Sequence, residues 1–425
     1  MALTVLFILL VLFLIMGVPV AVSLGLSSLA YIMIKGLPDV LLIHRMIGGV
    51  DSFPLLAIPF FILAGHLMNT GGITTKIFTF ARSLVGWLPG GLGHVNVGAS
   101  VIFAGMSGAA VADAGGLGNV EIKAMREAGY DTDFSVGVTA ASSTIGPIIP
   151  PSLPLVIYGV MASVSIGELF AAGLIPGLLM AVSLMVMVAW YAWKRDYPRD
   201  SRASIGAIST SFKHALLPLM TPVIIVGGIA TGVFTPTEAA VAAVCYALLL
   251  GLLVYRSLTW RHLVRVSMDT IQTSASILLI IASAAVFAWI LTSEQVATKL
   301  GAVLLGVTDN KQVLLVIMMV IVLLIGLFME TIAAITILVP VLMPIAVTAG
   351  IDPVHLGILL ILNLMLGLLT PPVGMVLFVL SEVSGVQFER CVRATMPFLV
   401  PLIIVLLLVT FIPQIALWLP EKVYR

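Results

Sequence analysis

Long apolar runs separated by short polar segments make up most of the chain. The runs fall at residues 4–33, 54–68, 95–112, 134–165, 168–193, 215–233, 236–255, 270–291, 312–328, 330–348, 354–384 and 395–418. Many of them have the length at which an α-helix crosses a bilayer, about 20 residues. A transmembrane β-barrel would instead show alternating segments of about ten residues. The pattern therefore predicts an all-α polytopic membrane protein.

The positions of the basic residues predict how the chain is oriented in the membrane. Basic residues concentrate in the loop 194–213 and again at 256–265, and such loops stay on the cytoplasmic side. No basic residue precedes the first run, so we expect a membrane helix there rather than a cleaved signal. Lys35 and Arg45 then predict a cytoplasmic end for this helix and an N-terminus outside. The charged residues that flank the last run leave the orientation of the C-terminus open.

The composition excludes a soluble protein. Hydrophobic residues make up 61 % of the chain and charged residues 9 %, and the mean hydropathy is +1.22. An average soluble domain is about half apolar and about a quarter charged. The formal net charge of +1 provides no basic surface for nucleic acid, so we expect lipid and no nucleic acid around the protein. Cys245 and Cys391 are the only cysteines, too few for a thiolate metal cluster or a disulfide scaffold.

One stretch of the sequence occurs twice. Residues 104–152 align without a gap with residues 325–373, at a constant offset of 221. The matches include an Ala-Gly-x-Asp turn and, near the end of each copy, the pairs Pro150-Pro151 and Pro371-Pro372. Weak internal symmetry of this kind is typical of secondary transporters. We therefore predict two inverted-topology repeats.

Each copy contains a long apolar segment that adjacent prolines interrupt, at 142–152 and at 367–374. Proline removes a backbone donor and biases its predecessor away from helical angles, so each segment should form a broken helix. Inside a membrane the released carbonyl groups must face protein or a polar cavity. Such carbonyl oxygens suit a sodium ion, and the positive ends of the half-helices suit a carboxylate.

Several motifs resemble the large membrane subunit of the TRAP transporters, the tripartite, ATP-independent class that depends on a periplasmic binding protein. The motifs are Gly105-Met106-Ser107-Gly108-Ala109-Ala110-Val111-Ala112-Asp113, Gly146-Pro147-Ile148-Ile149-Pro150-Pro151-Ser152, Thr370-Pro371-Pro372-Val373-Gly374 and Thr235-Pro236-Thr237-Glu238-Ala239-Ala240. The similarity runs nearly end to end. Where that family often has Ser and Asp at the two hairpin tips, this chain has Ala109 and Glu330.

The resemblance implies an elevator-type transporter of the bacterial inner membrane, in which a transport domain slides against a fixed scaffold. Each repeat would contribute a re-entrant helical hairpin and a broken helix to the transport domain. Two or more sodium ions would drive uptake of a small organic acid, of the C4-dicarboxylate or sialic acid class. A separate four-helix membrane subunit would brace the scaffold, and a periplasmic substrate-binding protein would deliver the substrate. The chain would be a transporter subunit and not an enzyme.

The predicted domain boundaries follow from this scheme. They are 1–93 for N-terminal scaffold helices and an arm, 94–167 for the first repeat of the transport domain, 168–311 for scaffold helices with cytoplasmic loops, 312–390 for the second repeat, and 391–425 for a C-terminal helix. The hairpin tips would lie near Ser107-Gly108 in the first repeat and near Glu330-Thr331 in the second.

The tips and the breaks together supply the candidate binding residues. The predicted sodium ligands are Ser107, Gly108, Gly146, Pro147, Glu330, Thr331, Gly367, Thr370 and Pro371. Ser142, Ser143 and Asn363 would contact substrate, or else bond backbone carbonyls within their own helices. Glu330 is the stronger carboxylate candidate, because an ionised carboxylate inside a membrane is costly and usually functional. Asp113 is a weaker one, because capping of a turn also explains it.

Two other functions fit parts of the sequence. A stand-alone sodium–carboxylate symporter would share the inverted-repeat layout but would need no binding protein. A rhomboid-like intramembrane serine protease would use the Gly-x-Ser-Gly pattern at Ser107, with His94 or His355 as the base. The protease alternative leaves the second repeat unexplained.

Overall fold

Apolar helices build the protein. The computed structural model describes residues 2–70, 73–308 and 310–424, and within these ranges every regular element is a helix. In the same ranges, seven helical segments are long and apolar enough to cross a membrane. They are Phe53–Thr70, Ile166–Arg195, Ile205–Ala230, Pro236–Val254, Trp260–Ser293, Thr331–Thr348 and Phe388–Phe411. The prediction of an all-α polytopic membrane protein is confirmed.

The first half of the chain alternates short and long helices. They are α1 (Ala2–Ile15), α2 (Val20–Ile34), α3 (Val40–Val50), α4 (Ala57–Thr70), α5 (Ile73–Val85), α6 (Gly91–Ser107), α7 (Ala110–Glu127), α8 (Thr132–Ser143), α9 (Leu153–Ala162) and α10 (Ile166–Arg195). A 3₁₀ turn at Phe53–Leu56 precedes α4. Ser152 and Ser165 cap the N-termini of α9 and α10, because each side chain accepts a hydrogen bond from an N–H group of the first turn.

The second half repeats this alternation. Its helices are α11 (Ile205–Ala230), α12 (Pro236–Leu249), α13 (Trp260–Ser293), α14 (Val296–Val307), α15 (Lys311–Gly326), α16 (Thr331–Thr348), α17 (Pro353–Gly367), α18 (Met375–Ser384), α19 (Phe388–Phe411) and α20 (Gln414–Tyr424). A π-helical turn at Leu250–Val254 extends α12. At the start of α12, Thr235 and Glu238 form a capping box of reciprocal hydrogen bonds.

The first apolar run is not a single membrane helix. Gly17 adopts a left-handed conformation (φ +76°) and Pro19 follows it, so the run 4–33 divides into α1 and α2. The two helices pack against each other and share one buried apolar cluster with α13. They form a helical hairpin, which returns the chain at Lys35 to the side on which α1 begins.

The duplication covers far more of the chain than the two stretches that align in sequence. The offset of 221 carries both ends of α7 onto both ends of α16, and the first residue of α8 onto the first residue of α17. It carries the start of α10 nearly onto the start of α19. Upstream, it carries α3 and α4 onto successive parts of α13, and α5 nearly onto α14. The repeat therefore relates α3–α10 to α13–α19.

The two copies run in opposite directions. Asp131 accepts a hydrogen bond from Arg195 at the end of α10 (2.5 Å), and the nearby Asp133 accepts one from Arg390 at the start of α19 (2.6 Å). The Tyr197 hydroxyl and then the Arg195 guanidinium hold the pKa of the Asp131 carboxyl below its usual value. The end of α10 and the start of its counterpart α19 therefore lie on the same face, so these equivalent helices are antiparallel. The predicted inverted topology is confirmed.

The C-terminal end of α20 lies on the outer face. Placing the basic loops in the cytoplasm puts the end of α10, at Arg195, on the cytoplasmic side. Tyr424 at the end of α20 lies against Gly167, which is at the opposite end of α10. This contact settles the orientation that the charges around the last apolar run leave open.

Lys35 also lies on the outer face. It forms an ion pair (2.7 Å) with Glu294, which immediately follows the end of α13, whereas the basic loop 256–265 lies at the start of that helix. The prediction of a cytoplasmic end at Lys35 is wrong, because α1 and α2 form a hairpin and do not cross once. Which helices move together remains a prediction, as do the domain boundaries.

This orientation predicts the labelling of two exposed positions. In a background in which Cys245 and Cys391 are alanine, we expect Glu421→Cys to react with a membrane-impermeant maleimide added outside spheroplasts. Ser201→Cys, in the loop after α10, should react only after the membrane is opened. Reaction of Ser201→Cys in intact spheroplasts, with Glu421→Cys protected, would reverse the assigned orientation.

Candidate functional site

The first break lies between α8 and α9, over residues 144–152. The Pro150–Pro151 peptide is cis, and every residue of the break is buried. The Ser152 hydroxyl accepts a hydrogen bond from the Leu155 N–H (3.2 Å) and donates one to the Pro147 carbonyl. The interruption predicted from the double proline is confirmed, and a serine of the break caps the second half-helix.

The second break lies between α17 and α18, over residues 368–374. The Pro371–Pro372 peptide is also cis, and Gly374 adopts a left-handed conformation (φ +57°) just before α18. The Thr370 hydroxyl donates to the Leu366 carbonyl one turn earlier (2.7 Å). Residues 370–373 are partly or fully exposed, in contrast to the first break. The second predicted interruption is therefore also confirmed.

Each hairpin tip sits on the break of its own repeat. In the first repeat, a Cβ added to Gly108 (φ +60°) would lie 2.6 Å from the Pro151 carbonyl oxygen. In the second repeat, the Val373 N–H donates to the Leu327 carbonyl (3.3 Å), and the backbone of Gly367 lies against that of Gly326. The structure thus places each hairpin against the break of its own repeat, and the sodium ligands assigned from the sequence remain a prediction.

Helix ends of both polarities meet at each site. In the first repeat α6 and α8 end there while α7 and α9 begin there, and in the second repeat α15 and α17 end where α16 and α18 begin. Helix C-termini present carbonyl oxygens with partial negative charge, and helix N-termini present N–H groups with partial positive charge. Each site therefore offers oxygen ligands of the kind a hard cation takes, and beside them donors for an anion.

The two tips differ in their capping residue. Glu330 is the N-cap of α16, and its Oε2 accepts hydrogen bonds from the N–H groups of Ile332 (2.9 Å) and Ala333 (3.3 Å). The offset of 221 pairs Glu330 with Ala109, which is the N-cap of α7 and makes no side-chain capping bond. Thr331 is buried as the first residue of α16. Sodium binding by Glu330 and Thr331 remains a prediction.

Asp113 adds a carboxylate to the first site. It lies in the first turn of α7, is 2 % exposed, and approaches Gly146 so closely that a Cβ there would collide with its Oδ2. Gly146 thus leaves room for a carboxylate within the break. Asp113 is absent from the predicted sodium ligands, because the sequence shows a carboxylate after the tip but not its distance to residue 146.

The three predicted substrate contacts are buried and already hydrogen-bonded within the protein. The Ser142 hydroxyl donates to Asn96 Oδ1 (2.6 Å), and the Ser143 hydroxyl donates to the Ala140 carbonyl of its own helix (2.8 Å). The Asn363 amide donates to the Met319 carbonyl. Substrate contact by these residues remains a prediction.

The protease alternative lacks a suitable base. The side chain of Ser107 lies outside the described part of the chain. His94 is near the start of α6 and Ser107 is its last residue, about 20 Å along the helix axis. His355 is buried, and its Nε2 lies 2.8 Å from the Val409 carbonyl. Neither histidine has the arrangement that activation of a serine requires.

A cavity of about 580 Å³ opens on the outer side, where α9 ends and α10 begins. Its polar lining comes from hydroxyl side chains of four short segments, among them Ser163, Thr235 and Thr237. A smaller cavity of about 80 Å³ shares Gly167 with it and reaches Pro150 of the first break. The two cavities are therefore neighbours, and the smaller one borders that break.

The sequence matches a known protein family over most of its length. Residues 7–415 match the family model of the DctM component of the tripartite ATP-independent periplasmic transporters. The chain is 50 % identical over 406 residues to the sialic acid TRAP transporter large permease protein SiaM of Vibrio cholerae, covering 95 % of each chain. It is 39 % identical over 401 residues to the C4-dicarboxylate TRAP transporter large permease protein DctM of Pseudomonas aeruginosa, covering 94 % of each.

The fold also matches a solved structure. The YdaH transporter of Alcanivorax borkumensis, described as having an unusual topology, superimposes with a TM-score of 0.64 over 89 % of this chain and 88 % of that one. The sequence identity is 16 %, so the likeness concerns the fold alone.

The contact between the second tip and its break predicts different effects for two glycine substitutions. A Cβ at Gly367 would lie 2.6 Å from the Gly326 carbonyl oxygen, so Gly367→Ala should destabilise the protein by about 1–3 kcal/mol. A Cβ at Gly227 in α11 would meet nothing within 4 Å, so Gly227→Ala should be neutral or stabilising by up to about 1 kcal/mol. Thermal unfolding in detergent micelles measures both. Equal effects would contradict the tip–break contact.

Proposed function

Because the chain belongs to the DctM family, the large membrane component of the tripartite ATP-independent periplasmic transporters, we propose that it carries out sodium-driven uptake of a small organic acid. The family places it in the bacterial inner membrane as a transporter subunit and not an enzyme, so the protease alternative is wrong. The observation that carries the sodium proposal is the pair of tip–break sites, one in each inverted repeat.

The substrate that we propose is a carboxylate of the sialic acid class. The relative named for sialic acid is 50 % identical to this chain, whereas the relatives named for 2,3-diketo-L-gulonate and for C4-dicarboxylates are both 39 % identical. These three named substrates are carboxylates, whereas a relative that is 40 % identical is named for isethionate, a sulfonate, so the chemistry common to the relatives is a small organic anion. The N–H groups at the start of α7 carry the partial positive charge that suits such a carboxylate.

Sodium would bind once in each repeat, between the tip and the break. At the first site the oxygen donors would come from the tip, the break carbonyls and Asp113, and at the second from Glu330 and the break carbonyls. These are the hard oxygen ligands that an alkali cation prefers, and none of them needs a transition-metal geometry. The inverted symmetry of the repeats supports two equivalent sites. A measured stoichiometry of one sodium ion per substrate would contradict this proposal.

Two sodium ions would make uptake of a monocarboxylate electrogenic. Each net positive charge that enters a negative cytoplasm gains about 2.3 kcal/mol per 100 mV. Two ions with one carboxylate carry one net charge inward, so the membrane potential would help to drive uptake. Two ions with a dicarboxylate would carry none, and a third ion would then be needed for the potential to contribute.

An elevator movement would carry both sites across the membrane. The packing that supports this proposal is reciprocal, because α7 of the first repeat packs on α18 of the second, and α16 of the second packs on α9 of the first. Tips and breaks are thereby tied into one unit that is able to move as a body. The remaining long helices, among them α11 to α13, would form the scaffold on which a small membrane subunit binds.

Reconstitution into liposomes separates the transporter alternatives. Together with its small membrane subunit, the chain should accumulate sialic acid only when sodium and a periplasmic binding protein are both present. A stand-alone symporter would need sodium alone. Uptake that is equally fast without the binding protein would therefore favour the symporter.

Substitutions at the tips test the sodium sites. Ser107→Ala and Glu330→Gln should each raise the sodium concentration for half-maximal uptake about tenfold, the effect of losing about 1.4 kcal/mol of binding. Glutamine keeps a side-chain oxygen that can accept from Ile332 and Ala333, so the cap of α16 is retained while the charge is lost. Glu382→Gln, at an exposed carboxylate of α18, is the matched control. Unchanged sodium activation in both tip variants would exclude these residues as ligands.

A further inference from the structure

A buried polar cluster joins α6, α7 and α8 and extends to Ser142, just before the first break. The Asn96 amide donates to Glu121 Oε2 (2.7 Å) and to the Thr139 hydroxyl (2.7 Å), and Asn96 Oδ1 accepts from Ser142 (2.6 Å). All four residues are at most 1 % exposed. Glu121 Oε1 has no hydrogen-bond partner in the described part of the chain. The cluster thus contains a carboxyl group with one oxygen unsatisfied.

No basic side chain neutralises this carboxyl group among the described residues. The other charged and titratable side chains on α7 are placed elsewhere: Asp113 lies at Gly146, Arg126 donates to the Ser384 carbonyl, and Lys123 and Glu127 lie toward the surface. On the helices that pack against α7, Asp133 pairs with Arg390, Arg82 pairs with Asp200, and Lys76 lies over the Tyr255 ring. Glu382 lies toward the surface, and His94 is buried on α6 without an ion pair. An isolated ionised carboxylate in such surroundings is costly, so the group must acquire a proton or a cation.

The second repeat provides an internal comparison. The offset of 221 pairs Asn96 with Ile317, Glu121 with Leu342 and Thr139 with Leu360. All three counterparts pack in or against the main apolar core. At these three positions the same three-helix arrangement therefore forms with apolar residues, while the counterpart of the fourth cluster residue, Ser142, is Asn363, whose amide donates to the Met319 carbonyl. The arrangement does not require a buried carboxyl group. Replacing buried ionic groups by well-packed apolar ones is often neutral or stabilising.

We propose that the Glu121 carboxyl group is a proton-binding site, separate from the two tip–break sites, which exchanges its proton with the cytoplasmic face. Glu121 lies six residues before the end of α7, about 9 Å below that face. With a proton bound, α7 packs on α6 and α8 as the apolar counterparts do in the second repeat. When the proton leaves, the buried charge weakens the packing of α7 on α6 and α8, and the first hairpin becomes less rigid.

A proton is favoured over a sodium ion because the described hydrogen bonds bring only an N–H donor, the Asn96 amide, and no further oxygen to the Glu121 carboxyl group. Among the described residues, the Asn96 amide donates to Glu121 and to Thr139 within the cluster. The Thr139 hydroxyl donates to the Ser135 carbonyl (2.8 Å). A sodium ion needs a shell of several oxygens, whereas a proton needs one. The Glu121 carboxyl group can meet that smaller requirement by itself.

Infrared spectra of the purified full-length chain in lipid nanodiscs test the proposal. In acidic buffer we expect the wild-type protein to show a carbonyl band of a protonated carboxyl group, and we expect Glu121→Gln to lack this band. In alkaline buffer the wild-type protein should lose the band. The band should titrate identically in sodium and potassium chloride. Glu127→Gln, at an exposed carboxylate of the same helix, is the matched control and should keep it. Absence of the band at every pH, or its loss on addition of sodium at constant pH, would overturn the proposal.

Unfolding experiments provide a second measurement. At pH values at which a glutamate in water is ionised, the native wild-type chain would keep the proton on Glu121 and the unfolded chain would release it. Its unfolding equilibrium constant should therefore rise about tenfold more per pH unit than that of Glu121→Gln, until the native protein also releases the proton. The triple variant Asn96→Ile, Glu121→Leu, Thr139→Leu copies the second repeat and should fold without this pH dependence. The same pH dependence in wild type and both variants would contradict a proton at Glu121.

Discussion

Backbone groups that are released inside a membrane need a partner, and this requirement organises the whole protein. Two double prolines interrupt α-helices within apolar segments, so carbonyl groups appear where lipid cannot satisfy them. The hairpin tips cover these interruptions, with Gly108 against Pro151 in the first repeat and Leu327 hydrogen-bonded to Val373 in the second. Helix ends of both polarities still meet there, and their terminal N–H and carbonyl groups have no partner within their own helices. A transporter can use such a place to hold a cation and an anion side by side.

Duplication with inversion supplies this arrangement twice. The antiparallel pairing of α10 and α19, anchored by Asp131 and Asp133, shows that equivalent helices point in opposite directions. One hairpin therefore enters from the cytoplasmic face and the other from the outer face. A unit with that symmetry presents equivalent surfaces to both sides, which is what alternating access requires.

The two repeats have kept the fold while their buried chemistry has diverged. Glu330 caps α16, whereas the equivalent N-cap of α7 is Ala109, whose side chain makes no capping hydrogen bond. Asn96, Glu121 and Thr139 form a polar cluster where the second repeat has Ile317, Leu342 and Leu360. Each copy is thus a control for the other, because a difference at an equivalent position cannot be required by the shared architecture. Such differences point to function more directly than burial does.

The sequence by itself determined the all-helical membrane class, the repeat, both breaks and the family, because apolar length and double prolines act locally and leave direct traces in the chain. It missed the hairpin of α1 and α2, since Gly17 and Pro19 are weak signals inside an apolar run, and it therefore placed Lys35 on the wrong face. Only the tertiary structure decided which tip covers which break, that Asp113 lies against Gly146, and that Glu121 is enclosed with Asn96. These relations join residues that are far apart in the chain, and in a bilayer they depend on how helices pack, for which local composition carries no signal.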